Sequence, residues 1–251
     1  MNIYHVYFGR FDTAASQSMV GLMNYFASNI YTLPWFPVLT EYYQYQNRKK
    51  VSGAHNATFK GSAVYKPGGV ALTISVIDIV ASIATSINSG KLPVDQNGVY
   101  FVIFRGDFIH NGWLTQWCGY HGSFVLTSNV VIKFAVVGDP STTNDYLKRG
   151  IVNPACAAVY PPTANGNFGA DSMITTYAHE LVESITDWDG STWYAYVLDS
   201  QTWIMEEIGD LCNWNFGQNY SSGDLYNTQI GEKSVLVQQV FKRNVGCVLT
   251  A

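Results

Sequence analysis

The sequence predicts a single α/β (α+β) domain over residues 1–251, built as a mixed, twisted sheet with a backing helix and a second helix that carries the candidate site. Three observations lead there. Runs of strand period alternate with runs of helical period over residues 1–187, so sheet and helices are expected to share one core. Residues 188–251 are loop-rich and hold Cys212 and Cys247, which suits a disulfide-tied C-terminal lobe that completes the site. A length of 251 residues with 47% hydrophobic content suffices to bury one large core.

Residues 3–9 alternate as a strand, and Met19, Leu22, Met23, Phe26 and Ile30 then mark one face of a helix over 13–31. Segments 38–47 and 57–66, rich in Tyr, Thr, Val and Phe, are expected to be strands of a hairpin across the basic stretch 48–56. A helix over 72–88 is expected to bury Leu72, Val76, Ile79, Val80, Ile83 and Ile87 before stopping at Asn88-Ser89-Gly90. Strand 98–105 follows, then an irregular stretch at 106–122 with Trp113, Trp117, Cys118 and His121, then two β-rich runs within 123–138. The proline-rich segment from Gly138 to Gly169 lacks periodicity, as a rim or lid tethered by Cys156 would. Asp171 is the expected N-cap of a helix over 171–187. Beyond it stand a short helical candidate at 204–212 and a strand-like run at 234–241.

Composition narrows the function. Charged residues are 13% of the chain, about half the usual share of roughly 25%, while 15% are aromatic, so the surface is expected to be polar but uncharged. The net charge is −4, and Arg48-Lys49-Lys50 forms no basic stripe, which argues against nucleic acid as a partner. The longest apolar stretch, Val70 to Ile87, contains Asp78 and repeated Ser and Thr, so it is expected to be a buried amphipathic helix and not a transmembrane segment. Four cysteines without a Cys-x-x-Cys pair point to two disulfides. Of three possible connectivities, Cys118–Cys156 with Cys212–Cys247 is favoured. Each bond closes a loop of some tens of residues, which typically stabilises by roughly 3–4 kcal/mol. An oxidising compartment follows. Glycosylation sequons at Asn56-Ala57-Thr58 and Asn219-Tyr220-Ser221 agree with secretion. No signal peptide precedes Met1-Asn2-Ile3-Tyr4-His5, so the chain is expected to be a mature form with a new Met.

The chemistry concentrates in His179-Glu180-Leu181-Val182-Glu183. Ile174, Ala178, Leu181, Val182 and Ile185 form an apolar stripe, and His179 and Glu183 lie one turn apart, nearly opposite its centre. At about 100° per residue the two fall within about 40° of each other, so both can reach one ion. Glu180, about 100° further round, stands where a zincin keeps the carboxylate that accepts a proton from water. This is a zincin-like His-Glu-x-x-His pattern with Glu183 in place of the second His. Glu207 follows Glu183 by 24 residues, as the downstream ligand of one zincin class does, with Asp210 one turn later as third ligand or as orienter of the His179 ring. One imidazole and two carboxylates would suit Zn2+; so oxygen-rich a set would also take Mn2+ or Ca2+.

Several blocks in order resemble the phosphate-induced protein 1 (EXORDIUM) family of secreted, cell-wall-associated plant proteins. They are Ile3-Tyr4-His5-Val6-Tyr7-Phe8-Gly9-Arg10, Gly98-Val99-Tyr100-Phe101-Val102, Cys118-Gly119-Tyr120-His121, the region from Cys156 to Pro161, Ala178-His179-Glu180 with Glu183 and Thr186, and Glu207-Ile208-Gly209-Asp210-Leu211-Cys212. The resemblance implies secretion and a role at the cell surface or wall, without a defined activity. It also implies that His121 belongs to the site region. His121 is a metal ligand, a substrate-binding donor or a histidine satisfied by a backbone carbonyl. Asp187-Trp188 stands where the plant pattern has Asn-Pro, so Asp187 is an extra ligand or a helix-end carboxylate.

The first functional expectation is a secreted zinc metallopeptidase-like hydrolase in which Glu180 takes a proton from water and Tyr177 or His121 stabilises an oxyanion. The second is a non-catalytic extracellular protein that keeps a metal or polar network for stability and whose aromatic surface binds cell-wall polymers or self-associates. A glycosidase using Glu180 and Glu207 is third. His5, His55 and His110 have no nearby constellation and are read as structural.

Overall fold

The computed structural model describes residues 1–46, 49–52, 56–68, 73–142, 155–199, 202–217 and 225–250. Strand β1 (Asn2–Phe8) leads into helix α1 (Ala14–Asn29), whose first turn is closed by a capping box between Thr13 and Ser16. An antiparallel pair, β2 (Tyr43–Gln46) and β3 (Lys49–Ser52), precedes β4 (Thr58–Tyr65). A short strand β5 (Thr73–Ile74) leads to helix α2 (Val76–Asn88). Next come β6 (Gly98–Phe104), β7 (Ile109–His110), β8 (Gly119–Thr127) and β9 (Val130–Gly138). Helix α3 (Phe168–Thr186) follows, and then three small antiparallel pairs: β10 (Tyr194–Asp199) with β11 (Thr202–Glu207), β12 (Thr228–Ile230) with β13 (Lys233–Val235), and β14 (Val240–Lys242) with β15 (Gly246–Val248).

The main sheet has the order β4-β1-β6-β9-β8. The first four strands are parallel, and β8 runs antiparallel along the β9 edge. The two-residue link from β8 to β9 turns through Asn129 at φ 73°, a conformation that asparagine tolerates. β6 is buried at all seven positions, as expected of a parallel strand covered on both faces. Ile3, Tyr7, Phe101, Ile103, Ala135 and Val137 pack with α1 and α3 on one face. Tyr4, Val6, Tyr100, Val102, Phe134 and Val136 pack with Ile79 and Ile83 of α2 on the other. The mixed sheet, the backing helix and the site helix are therefore present. Among the described residues no helix is long and apolar enough to cross a membrane.

Several boundaries differ from the sequence expectation. The hairpin between 38–47 and 57–66 does not form. Phe36–Glu41 is a 3-10 helix that buries Phe36, Val38 and Leu39, β2 pairs with β3, and β4 joins β1 in parallel. α2 begins at Val76 behind a Ser75–Asp78 capping box and leaves Val76 49% exposed, because the run of apolar residues there exceeds one helical face. Leu72 lies outside the described residues. α3 begins at Phe168 with Asn167 as N-cap, while Asp171 sits one turn inside and accepts hydrogen bonds from Asn165. The helical candidate at 204–212 is strand β11 followed by a 3-10 turn at Asp210–Cys212, since its residues pair across to β10. The run at 234–241 divides between β13 and β14. Both favoured disulfides are formed, Cys118–Cys156 and Cys212–Cys247.

α3 is also not amphipathic. From Gly169 to Thr186 every residue except His179 is buried, so its polar face lies under protein.

His5, on β1, is fully buried; it donates Nδ1–H to Asn24 Oδ1 (2.8 Å) and accepts the Tyr177 hydroxyl at Nε2 (2.8 Å). Burial pushes its pKa down to about 3, against a smaller upward pull from Asn24. The unfolded chain, with an ordinary histidine pKa of about 6.5, then binds a proton that the folded chain refuses. The stability this group contributes is complete above the ordinary value and is lost as pH falls towards the depressed one. Chemical denaturation is expected to show that the wild type loses about 2–3 kcal/mol more than His5→Gln between neutral pH and about pH 4.5.

Candidate metal centre

α3 lies across β8 and β9, and its periodicity sets His179 above Glu183 with Glu180 beside them. β8 supplies His121, with Gly119 two residues before it on the same face. A Cβ on Gly119 would sit 2.6 Å from Glu180 Oε1 and 2.7 Å from Thr176 Cγ2, so only glycine lets the strand approach the helix this closely. β11 ends at Glu207, and the following turn, tied by Cys212–Cys247, delivers Asp210. Gly209 serves the same purpose there, because a Cβ would lie 2.6 Å from Glu183 Oε1. Gln238 donates to the Gly209 carbonyl oxygen (2.8 Å) and fixes that turn.

The side chains meet in two groups. His179 Nε2 is 3.1 Å from Glu183 Oε1 and 3.3 Å from Asp210 Oδ1. His121 Nδ1 is 3.5 Å from Glu183 Oε2 and 3.4 Å from Glu180 Oε2, and His121 Nε2 is 3.5 Å from Glu207 Oε1. Glu183 thus faces a different imidazole with each oxygen. The ligand-capable atoms of His121, Glu183 and Glu207 lie within 4.8 Å of one another, as do those of His179, Glu183 and Asp210. Glu180 Oε2, Glu207 Oε1 and Asp187 Oδ2 are buried and make no hydrogen bond among the described residues.

Asp187 caps α3; its Oδ1 accepts from Ser191 N, Thr192 N and Thr192 Oγ1, and its carbonyl oxygen lies 3.0 Å from His121 Nε2. It is therefore a helix-end carboxylate that orients His121 through its backbone.

The electrostatics follow from burial and crowding. Burial opposes charge on His121, but Glu180 and Glu183 outweigh it and raise its pKa to about 11. Removal from water likewise opposes charge on His179, but Glu183 and Asp210 bring its pKa well above the ordinary value. Burial would raise Glu183, yet the two imidazoles hold it at about 2. Glu207 is pushed up to about 8 by burial and by the charge of Glu183, and Glu180 is raised chiefly by burial. The centre is a negative pocket that draws in positive charge, as protons on the imidazoles or as a metal cation in their place.

A cleft of about 300 Å³ opens onto His179, Glu180 and Asp210. Trp117, Trp214, Gln116, Asn213 and Gln238 are among the residues that line it, and among the described residues its walls carry no other charged side chain.

Most of the expected site residues therefore converge: His121, His179, Glu180, Glu183, Glu207 and Asp210. Glu207, however, faces His121 and not His179. Tyr177 does not join them. It is fully buried on the other side of α3, where its ring stacks on Phe101 at 3.8 Å and its hydroxyl serves His5, so it is a core residue and not an oxyanion donor. Asn56 is exposed just before β4, and Asn219 lies outside the described residues. Gly119, Gly209 and Gln238 were not singled out by sequence; the first two stand inside blocks that were, but a glycine's role in close approach shows only in three dimensions.

A helix, a sheet edge and a disulfide-tied lobe converging on largely buried histidines and carboxylates define an α/β protein with a polar, metal-compatible centre. The chain belongs to the family described as the phosphate-induced protein 1 conserved region, which matches residues 1–235. Protein EXORDIUM-like 5 of Arabidopsis thaliana is 28% identical over 173 residues, covering 63% of this chain and 44% of that one. Protein EXORDIUM-like 3 of the same plant is 26% identical over 206 residues, covering 74% and 59%. The chain thus spans about half the length of the curated relatives it matches. No solved structure gives a significant match. The family and the two disulfides are consistent with an extracellular location.

Proposed function

We propose that the protein is a secreted, cell-surface or cell-wall-associated hydrolase with a zincin-like metal site, in which His179, Glu183 and Asp210 hold Zn2+ and Glu180 acts as base on a peptide substrate. One observation carries the reading. The imidazole–carboxylate pairs stand 3.1–3.5 Å apart, longer than the roughly 2.7–2.9 Å of a direct charge-assisted hydrogen bond, while the buried oxygens of Glu180 and Glu207 have no hydrogen-bond partner. Donors about 2.0–2.2 Å from a tetrahedral ion lie about 3.3–3.6 Å from each other, so the spacing suits a cation between them. The donor set would also accept Mn2+ or Ca2+.

A bound divalent ion would polarise a carbonyl and lower the pKa of water. Glu180, with its pKa raised and its Oε2 unpartnered, takes the proton. The uncharged Trp, Gln and Asn side chains along the cleft fit a peptide segment better than an ionic ligand. The reading is tested by cleavage of casein or a peptide library with protein purified without chelator. Cleavage that Glu180→Gln removes while metal content is retained supports it.

A second reading has its own observation. Tyr194, Tyr196 and Met205 share one face of the β10–β11 pair and are exposed at 37%, 64% and 57%. Such a face suits a non-catalytic protein that binds a cell-wall polysaccharide or self-associates and keeps the buried centre for stability. Metal without cleavage, together with retention on insoluble wall polysaccharide that Tyr196→Ala abolishes, would favour it.

A further inference from the structure

We propose that the centre holds two divalent cations, the second bound by His121, Glu183 and Glu207, with Glu183 bridging it to the ion at His179 and Asp210. The inference rests on the metal reading above and extends it.

Geometry is the first ground. The two oxygens of Glu183 point to different imidazoles, Oε1 to His179 and Oε2 to His121, and each imidazole has a second carboxylate, Asp210 or Glu207. A single ion between His179, Glu183 and Asp210 leaves the His121 group unused. A carboxylate shared edge to edge is the usual bridge in centres whose ions lie about 3.5–4 Å apart.

Charge is the second. Glu180, Glu183, Glu207 and Asp210 carry four negative charges when ionised, against two imidazoles. One divalent ion ligated by neutral imidazoles leaves two negative charges uncompensated in a largely buried pocket, which is costly. A second ion offsets those two charges, and the buried Asp187 carboxylate beside them is held by three hydrogen bonds at its Oδ1.

Orphaned atoms are the third. Glu180 is 3% exposed, and its Oε2 faces His121 Nδ1 at 3.4 Å without a hydrogen bond; Glu207 Oε1, on a less buried side chain, also lacks a hydrogen bond and faces His121 Nε2 at 3.5 Å. His121 Nε2 meets the Asp187 carbonyl oxygen at 3.0 Å, the contact that orients a ligating imidazole, and leaves Nδ1 to face Glu180 Oε2 and Glu183 Oε2, with Glu207 Oε1 beside the ring at Nε2.

The test is metal stoichiometry. Full-length protein is stripped with chelator, reloaded with Zn2+, freed of excess metal and assayed for equivalents bound, with circular dichroism confirming the fold. We expect about two equivalents in the wild type, about one in His121→Ala and in His179→Ala, and none in Glu183→Ala. Glu207→Gln, at a less buried position, tests the second ion with less risk to folding and is expected to retain about one. Loaded with Mn2+, the wild type is expected to show a spin-coupled pair by electron paramagnetic resonance. One equivalent in the wild type, unchanged in His121→Ala and Glu207→Gln, would overturn the second ion and leave the single-ion reading standing. Two equivalents in both variants would place the second ion elsewhere and overturn the inference. No metal at all would overturn both readings.

Discussion

Glu180→Gln is expected to lower peptide hydrolysis by about 10²–10⁴-fold, the range a positioned general base contributes, while the metal content stays at the wild-type level. The two readouts separate because Glu180 is the residue of the α3 cluster that lines the cleft without belonging to the His179–Glu183–Asp210 group. Glutamine keeps the size of the side chain beside Gly119, where there is no room for a larger one, so the backbone should not move. A variant that cleaves as fast as the wild type would remove Glu180 from the chemistry. A variant that loses metal would make it a ligand.

Glu183→Ala is expected to empty the proposed metal site and to lower the stability of the metal-free protein by about 3–5 kcal/mol, the cost of breaking a buried ionic contact by removing one partner. Glu183 is 3% exposed and touches His179 and His121 from opposite sides, and its Oε1 also accepts the backbone N–H of Asp210 (3.2 Å). Without it, two imidazoles with raised pKa values lose the carboxylate they share, and the turn carrying Asp210 loses its anchor. Glu183→Gln preserves shape and is expected to recover part of the stability without the metal. Chemical denaturation of stripped protein reads the first effect, elemental analysis the second. A stability within about 0.5 kcal/mol of wild type, the range of neutral surface changes, would contradict the account.

The parts of this site legible in the sequence are those set by local period. His179 and Glu183 stand four residues apart on one helix, and that spacing alone puts them on one face. The cysteines flanking the blocks at 118 and 212 indicated which distant segments were tied down, and both pairings formed as expected. What escaped depends on long-range pairing. His121, which the family resemblance and not periodicity assigns to the site region, enters it because β8 turns back antiparallel on β9 and becomes the sheet edge beside α3. A helical period over 204–212 puts Asp210 one turn after Glu207; as the last residue of a strand Glu207 instead reaches His121. Tyr177 is a different kind of miss. Two residues before His179, it lies about 160° away around the helix, so the same geometry that paired His179 with Glu183 already placed its ring in the core. The polar face of α3 is buried because β8 and the C-terminal lobe, which come from elsewhere in the chain, cover it.

The most direct test of the central claim is an anomalous difference map from crystals of protein purified without chelator, collected on both sides of the zinc absorption edge. The account predicts a peak between His179 Nε2, Glu183 Oε1 and Asp210 Oδ1, about 2.0–2.2 Å from each donor. No peak there, with His179 Nε2 donating directly to one of the two carboxylates at about 2.7–2.9 Å, would contradict it.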